Sequence, residues 1–205
     1  MVDARVVHRA AGNTEQSACR ILQSLAADVP SKHAIVELGA YKGRTTGWLS
    51  FGAERGHGAP LFSVDPWEQR SVESWPGGYA DRVPKYSDPS TREAFEAHVQ
   101  AARIRTTVTQ ATAVDAAAIY DGPPVGLLYH DAEHTHAAVV ADLEAWMPHL
   151  AERCTVALHD AGNPKFGSFS GAQEVLPQHG FDWGRLQLTR WRKHPDRRGL
   201  LVVTR

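Results

Sequence analysis

An open, mostly parallel α/β sheet with helices on both faces and an antiparallel edge is the fold class this sequence predicts. Three observations carry it. Strand-like and helix-like stretches alternate through the first five strands. A tight turn, Gly39-Ala40-Tyr41-Lys42-Gly43, joins a buried strand to a helix, and Asp65 ends the next strand. Two apolar runs, Leu127-Leu128-Tyr129-His130-Asp131 and Val156-Ala157-Leu158-His159-Asp160, both finish in His-Asp. As neighbouring parallel strands they would gather two Asp and two His at their carboxyl ends, where open α/β sheets bind ligands.

The elements follow in order. Asn13 is placed to cap a helix running to about Ala27, with Ala18, Ile21, Leu22 and Leu25 at helical spacing and Pro30 beyond its end. Ala34 to Leu38 reads as a buried strand, and a helix opens near Arg44 and Thr45. Leu61 to Asp65 is the second strand. Residues 66–90 hold four prolines with Trp67, Trp75, Tyr79 and Tyr86. A loop this long in a compact domain is usually functional, and its aromatics read as a lid or substrate wall. Thr91 to about Ala102 is helical, and Thr106 to Gln110 is a strand. Val125 to His130 is the next strand, followed by an amphipathic helix from Thr135 to Leu150. Its stripe is Val140, Leu143, Met147 and Leu150, and Pro148 distorts its last turn. Cys154 to His159 is another strand. A Gly-rich loop from Gly162 to Gly171 carries Phe166 and Phe169, which are expected to line the facing side of the pocket, and a helix runs on to about Gln178. Two strand-like runs, Gly184 to Trp191 and Leu200 to Thr204, close the chain as a hairpin.

Composition excludes several classes. With 205 residues, 42% hydrophobic and 22% charged, the chain suits one soluble domain. A formal net charge of −1 gives no general pull toward nucleic acid or anionic membrane. No apolar run is long enough to span a bilayer, and the N-terminus lacks a signal peptide's apolar core. Cys19 and Cys154 have no metal-ligand or disulfide-framework spacing, so a reduced, cytoplasmic setting is expected. The basic hairpin residues Arg185, Arg190, Arg192, Lys193, Arg197 and Arg198 read as a solvated edge rather than a nucleic-acid face.

The turn after the first strand offers free N–H groups at a helix start, and Gly39 permits a sharp bend. Asp65 lies 26 residues after Gly39, where a carboxylate can accept both hydroxyls of a ribose. The pattern is not G-x-G-x-x-G, which disfavours a nicotinamide oxidoreductase. Trp67 is placed to contact the nucleoside.

At these residues the chain resembles the S-adenosylmethionine-dependent methyltransferases with a Rossmann-like fold. Glu37-x-Gly39-x-x-x-Gly43 looks like their first motif and Asp65 like their second acidic position. His130-Asp131-Ala132-Glu133-His134, Asp142 to Pro148, and Leu158-His159-Asp160 resemble the branch of macrocin-type antibiotic O-methyltransferases. The resemblance implies a seven-stranded sheet in the order 3-2-1-4-5-7-6 with an antiparallel last strand. It also implies a methyl donor, S-adenosyl-L-methionine, at Glu37, Gly39, Ala40, Tyr41, Gly43, Thr45, Asp65, Trp67, Ala111, His130 and Asp131. Asp131, His159 and Asp160 look like ligands of Mg²⁺, and His134, with Asp131, like the catalytic pair, His134 as general base. The implied acceptor is a small-molecule hydroxyl: a phenol, catechol or sugar. Self-association through the N-terminal helix or the lid is a family habit. Alternatives stay open. Asp131 could only hydrogen-bond the cofactor or cap the following helix, His159 could satisfy a backbone group, and His136 reads as an exposed first-turn residue. The protein could be a metal-independent methyltransferase, or a fold relative that binds the cofactor without transferring its methyl.

Overall fold

β1, Ala34–Leu38, is an interior strand of the sheet, and all five of its residues are buried. A computed structural model describes residues 1–67, 90–190 and 199–205. Most of the lid expected over 66–90, including Trp75, Tyr79 and Tyr86, lies outside the described residues, as do Arg192, Lys193, Arg197 and Arg198.

β1 pairs in parallel with β2, Leu61–Val64, on one side and with β4, Val125–His130, on the other. β3, Thr107–Thr109, extends the sheet beyond β2. β5, Leu150–Leu158, runs parallel to β4. β7, Gly199–Thr204, is antiparallel to β5, and β6, Gln187–Arg190, is antiparallel to β7. The order is β3-β2-β1-β4-β5-β7-β6, as the resemblance implied.

Side-chain alternation along the strands divides the core into two faces. Ile35, Leu127, Tyr129 and Ala157 pack with Leu22 and Ala26 of α2, Gln16–Asp28, and with Leu49 and Ala53 of α3, Arg44–Arg55. Val36, Leu38, Leu128, Val156 and Leu158 pack on the opposite face. They meet α5, Ala113–Ala118, α6, His136–Trp146, and α7, Ser168–Val175. Each fully buried Leu or Val contributes about 2 kcal/mol. A short α1, Ala4–Arg9, joins Trp48, Cys19, Ala102 and Ile104 in a third cluster, beside which α4, Ser90–Ala101, lies. Among the described residues no helix is long and apolar enough to cross a membrane.

Several boundaries differ from expectation. Glu15, not Asn13, occupies the N-cap of α2. The buried stripe of α6 is Val139, Asp142, Leu143 and Trp146, with Val140 only half-buried. That helix stops at Trp146 and gives way to a 3-10 turn, Met147–His149, around Pro148. β5 begins at Leu150, four residues earlier than its apolar run suggested, because Glu152 and Arg153 occupy exposed positions of a regular strand. The short helices α1 and α5 lack an apolar period long enough to detect, although α5 carries a Thr112 cap that accepts from the Asp115 N–H. Residues Trp183–Arg185 form a 3-10 turn rather than the start of β6.

Strand alternation also sorts the two His-Asp pairs. His130 shares a face with Leu128, so its side chain turns toward α6 and lies fully buried, its Nε2 2.9 Å from Asp142 Oδ2. Asp131 follows Tyr129 toward α2. Asp142→Ala, which strands the buried imidazole, should lower stability by about 1–3 kcal/mol. Urea unfolding reads this as a shift of midpoint at unchanged slope; an unmoved midpoint would show the pair to be energetically idle.

Candidate active site

Parallel pairing brings the carboxyl ends of β1, β2, β4 and β5 to one rim. The ladder continues one step past the strands. Asp131 N–H donates to Leu38 O at 2.8 Å, His159 N–H to His130 O at 2.9 Å, and Gly39 N–H to Val64 O at 2.8 Å. The turn residues are therefore fixed by backbone bonds. Gly39 has φ 90°, and a Cβ there would sit 2.2 Å from Asp131 O. The turn after β1 and the turn after β4 touch through that glycine. Three of the four non-glycine residues with positive φ among the described residues, Tyr41, Trp67 and Asp160, lie on this rim. Strained backbone of this kind clusters at functional sites.

One side of the rim is built on Glu37 and Asp65. Asp65 Oδ2 accepts the Tyr41 N–H and Oδ1 the Trp67 N–H, both at 2.8 Å, and Trp67 Nε1 donates to Tyr41 O at 2.9 Å. The Trp67 ring packs on Phe95 with centroids 5.0 Å apart. Glu37 is fully buried beneath the turn. It accepts the hydroxyls of Thr45, of Thr46 at 2.5 Å and of Ser63 at 3.2 Å. Burial pushes its carboxyl up to about 7, although the three hydroxyls pull it down. Glu37 and Thr45 thus tie β1, β2 and α3 together from below. Ala40 is buried with Trp67 and Phe95, and Gly43 faces Phe95 and His98. Ala111 is half-buried against the core on the α6 face.

The other side holds Asp131, His134, His159 and Asp160. Asp131 Oδ2 accepts from Tyr129 Oη at 2.9 Å and from Thr14 Oγ1 at 3.3 Å. Its Oδ1 lies 3.2 Å from His159 Nδ1 and 3.6 Å from His134 Nε2. His159 Nδ1 is also 3.6 Å from Asp160 Oδ1, and its Nε2 is 3.2 Å from Glu15 Oε2. His134 Nε2 is 3.7 Å from Asp160 Oδ2, its Nδ1 is 3.3 Å from Ser168 Oγ, and its ring rests on Phe166 at 5.1 Å. Burial opposes ionisation of Asp131, but His159 above all, with His134 and Tyr129, outweighs it and holds the carboxyl below the usual range. Burial opposes a charged His159 too; the Asp131, Glu15 and Asp160 carboxylates overcome it and raise its pKa well above normal. Burial, reinforced by the Asp131 charge, keeps the Tyr129 phenol protonated.

The expected residues thus separate. Asp131, His134, His159 and Asp160 converge. The three donors that come within 4.8 Å of one another are those of Asp131, His134 and His159, with Asp160 alongside, rather than Asp131, His159 and Asp160. His130, expected at the cofactor, serves α6. Phe169, expected to line the pocket, turns to Trp183, at 5.5 Å. His136 lies on the surface, its Nδ1 2.8 Å from Ser170 Oγ and its Nε2 2.9 Å from Glu174 Oε2. Thr14, Glu15, Tyr129 and Ser168 escaped the sequence reading. Only Tyr129 carried a usable signal, since alternation puts it on the face of Asp131.

The family described as methyltransferase domain matches residues 36–161. No curated protein matches the chain. Among solved structures, the fold is similar to a cofactor-bound protein from MTB, at TM-score 0.66 and 17% identity over 97% of this chain and 85% of that one. It is also similar to the TDP-rhamnose 3'-O-methyltransferase of calicheamicin biosynthesis, at TM-score 0.55 and 22% identity over 90% and 76%. A third is the precorrin-6y C5,15-methyltransferase of Geobacter metallireducens GS-15, at 0.64 and 10% over 96% and 95%. At these identities the likeness is one of fold.

Glu37 makes a pH prediction. Its folded pKa, about 7, stands above its ordinary 4.5. Between those values the native state holds a proton that the unfolded chain has released, so its contribution to stability is full below 4.5 and lost as pH rises toward 7. Relative to wild type, Glu37→Gln should gain roughly 3 kcal/mol across that window. Urea unfolding at a series of pH values measures it; parallel profiles would mean that Glu37 ionises as freely as in the unfolded chain.

Proposed function

Since the chain belongs to the methyltransferase-domain family and is an S-adenosylmethionine-dependent methyltransferase, we propose that it methylates a hydroxyl of a small molecule, a phenol, catechol or sugar, with His134 as general base. The observation that carries this reading is the setting of His134. Its Nε2 stands between Asp131 and Asp160 at 3.6 and 3.7 Å, while Ser168 engages Nδ1. With the proton on Nδ1, the hydroxyl of Ser168 accepts it and the Nε2 lone pair is turned to the rim.

The rim suits the methyl donor by its chemistry. A carboxylate accepts up to about four hydrogen bonds, so the backbone bonds that orient Asp65 are compatible with its taking ribose hydroxyls. Gly39, Tyr41 and the start of α3 would sit beside the nucleoside, with Trp67 packed under the turn. When bound, S-adenosylmethionine supplies a sulfonium-activated methyl group, which an oxygen nucleophile takes in one in-line displacement. The chain's own part is positioning and proton removal. His134 Nε2 takes the acceptor's hydroxyl proton as the oxygen attacks, and the Asp131 and Asp160 carboxylates, 3.6 and 3.7 Å from Nε2, stabilise the imidazolium that forms. Phe166 supplies an apolar wall beside His134.

The donor set also fits a divalent cation. Carboxylate oxygens of Asp131 and Asp160 are what Mg²⁺ prefers, whereas the imidazoles suit softer metals. His134 Nε2 cannot both coordinate an ion and receive a proton. We assign it the proton; a bound cation, Mg²⁺ in the first instance, would be held by the carboxylates of Asp131 and Asp160, because the His159 imidazole is kept protonated by its carboxylate neighbours. Such an ion would lower the pKa of the acceptor hydroxyl.

The test is formation of S-adenosylhomocysteine with a panel of phenols, catechols and sugars. His134→Ala should lower kcat about 10²- to 10⁴-fold with cofactor affinity, by calorimetry, within about twofold. Asp65→Ala should do the reverse. Turnover lost in chelator and restored by Mg²⁺ supports the cation; full turnover in chelator returns the metal-independent alternative. Cofactor binding without methylation of any hydroxyl, or full activity of His134→Ala, would overturn the assignment.

A further inference from the structure

The N-terminal segment reaches into the rim, and nothing in the family match accounts for it. Thr14 and Glu15 lie outside the matched residues 36–161. Thr14 Oγ1 donates to Asp131 Oδ2 at 3.3 Å, and Glu15 Oε2 faces His159 Nε2 at 3.2 Å. These contacts join residues 117 and 144 positions apart.

A local irregularity marks Glu15. It occupies the N-cap of α2, in extended conformation with φ −65° and ψ 146°, yet its side chain makes no capping bond. The N-caps Asp3, Thr112 and Thr135 all accept a backbone N–H of their own helix. Glu is a poor cap, and a preferred residue there would be worth about 1 kcal/mol. Departures from a local rule of this kind are expected at functional sites. The carboxylate is instead aimed at an imidazole that is itself 2% exposed. The segment is well fixed. Arg44 Nη1 donates to Ala10 O at 2.5 Å, and Gly12 lies so close to Arg44 that a Cβ would come within 2.6 Å of the arginine Cβ.

We propose that Glu15 is a positioning residue of the active site: by accepting the Nε2 proton of His159 it turns Nδ1 of that ring toward Asp131 and so fixes the acceptor-side carboxylates. This rests on the acceptor site described above. The ring has two ways to face, and only a partner on one nitrogen decides which nitrogen meets Asp131. With Nε2 engaged by Glu15, Nδ1 is left to donate to Asp131 Oδ1, 3.2 Å away. Thr14 supports the same carboxylate from its second oxygen.

Three variants and two readouts test it. Glu15→Ala should lower kcat about 10- to 100-fold, with S-adenosylhomocysteine affinity unchanged within about twofold. Glu15→Gln keeps an oxygen that can accept the Nε2 proton and should recover most of the rate. Glu15→Asp keeps the charge but shortens the reach by one methylene, and should stay impaired; it also stands in if the alanine variant does not fold. The second readout needs no acceptor. The ring ¹⁵N and ¹H signals of His159 should show a protonated, hydrogen-bonded Nε2 in the wild type and in Glu15→Gln, and lose that signature in Glu15→Asp. If no hydroxyl is ever methylated but the ring signals behave this way, the positioning stands and the acceptor class was wrong. Unchanged ring signals in Glu15→Asp, or a Glu15→Gln as slow as Glu15→Asp with melting temperature falling in step, would overturn the proposal.

Discussion

The site depends on one close approach. The turn after β1 meets the turn after β4 at Gly39, where even a methyl group would strike the backbone carbonyl of Asp131. That contact is possible because β1 and β4 are parallel neighbours, with Leu38 beside His130. It is held by the bond from Asp131 N–H to Leu38 O. The Glu37–Asp65 side of the rim and the Asp131–Asp160 side are thus two faces of one junction. The glycine that the sequence offered as a place for a ligand is also the place where two protein turns press together.

Charge is arranged in two layers around that junction. Beneath it, Glu37 is sealed under three hydroxyls and binds the strands to α3. Above it, the Glu15, Asp131 and Asp160 carboxylates surround the His159 imidazole. A carboxylate cluster of this density would repel itself without a cation among its members, and the buried imidazole supplies a compact one. His134 stands at the margin of this group, its Nε2 3.6 Å from Asp131 and 3.7 Å from Asp160. The buried layer secures the geometry, and the partly open layer is where chemistry becomes possible.

Much of this was legible in the sequence. β1, the Gly39 turn, the start of α3 and the end of β4 fell where their patterns put them, because a buried run of β-branched and aliphatic residues beside a glycine turn admits few readings. That Asp131, His134, His159 and Asp160 lie close together was legible because parallel strands deliver their carboxyl ends to one rim. His130 was misplaced for want of applying the same rule one step further: with a period of two, it must face away from Asp131. The short helices α1 and α5 were missed because six residues hold too little of a helical period to register.

By itself, then, the sequence determined the strand pattern, the two acidic strand ends and the histidine that follows one of them, since these depend on local periodicity and chain direction. Tertiary structure decided the partners. Thr14 and Glu15 reach Asp131 and His159 only because α2 docks against the face that carries Tyr129. Ser168 meets His134 only because α7 packs beside α6. No local pattern encodes such meetings; they are set by how helices settle on a sheet, and that is fixed by the packing of the whole core.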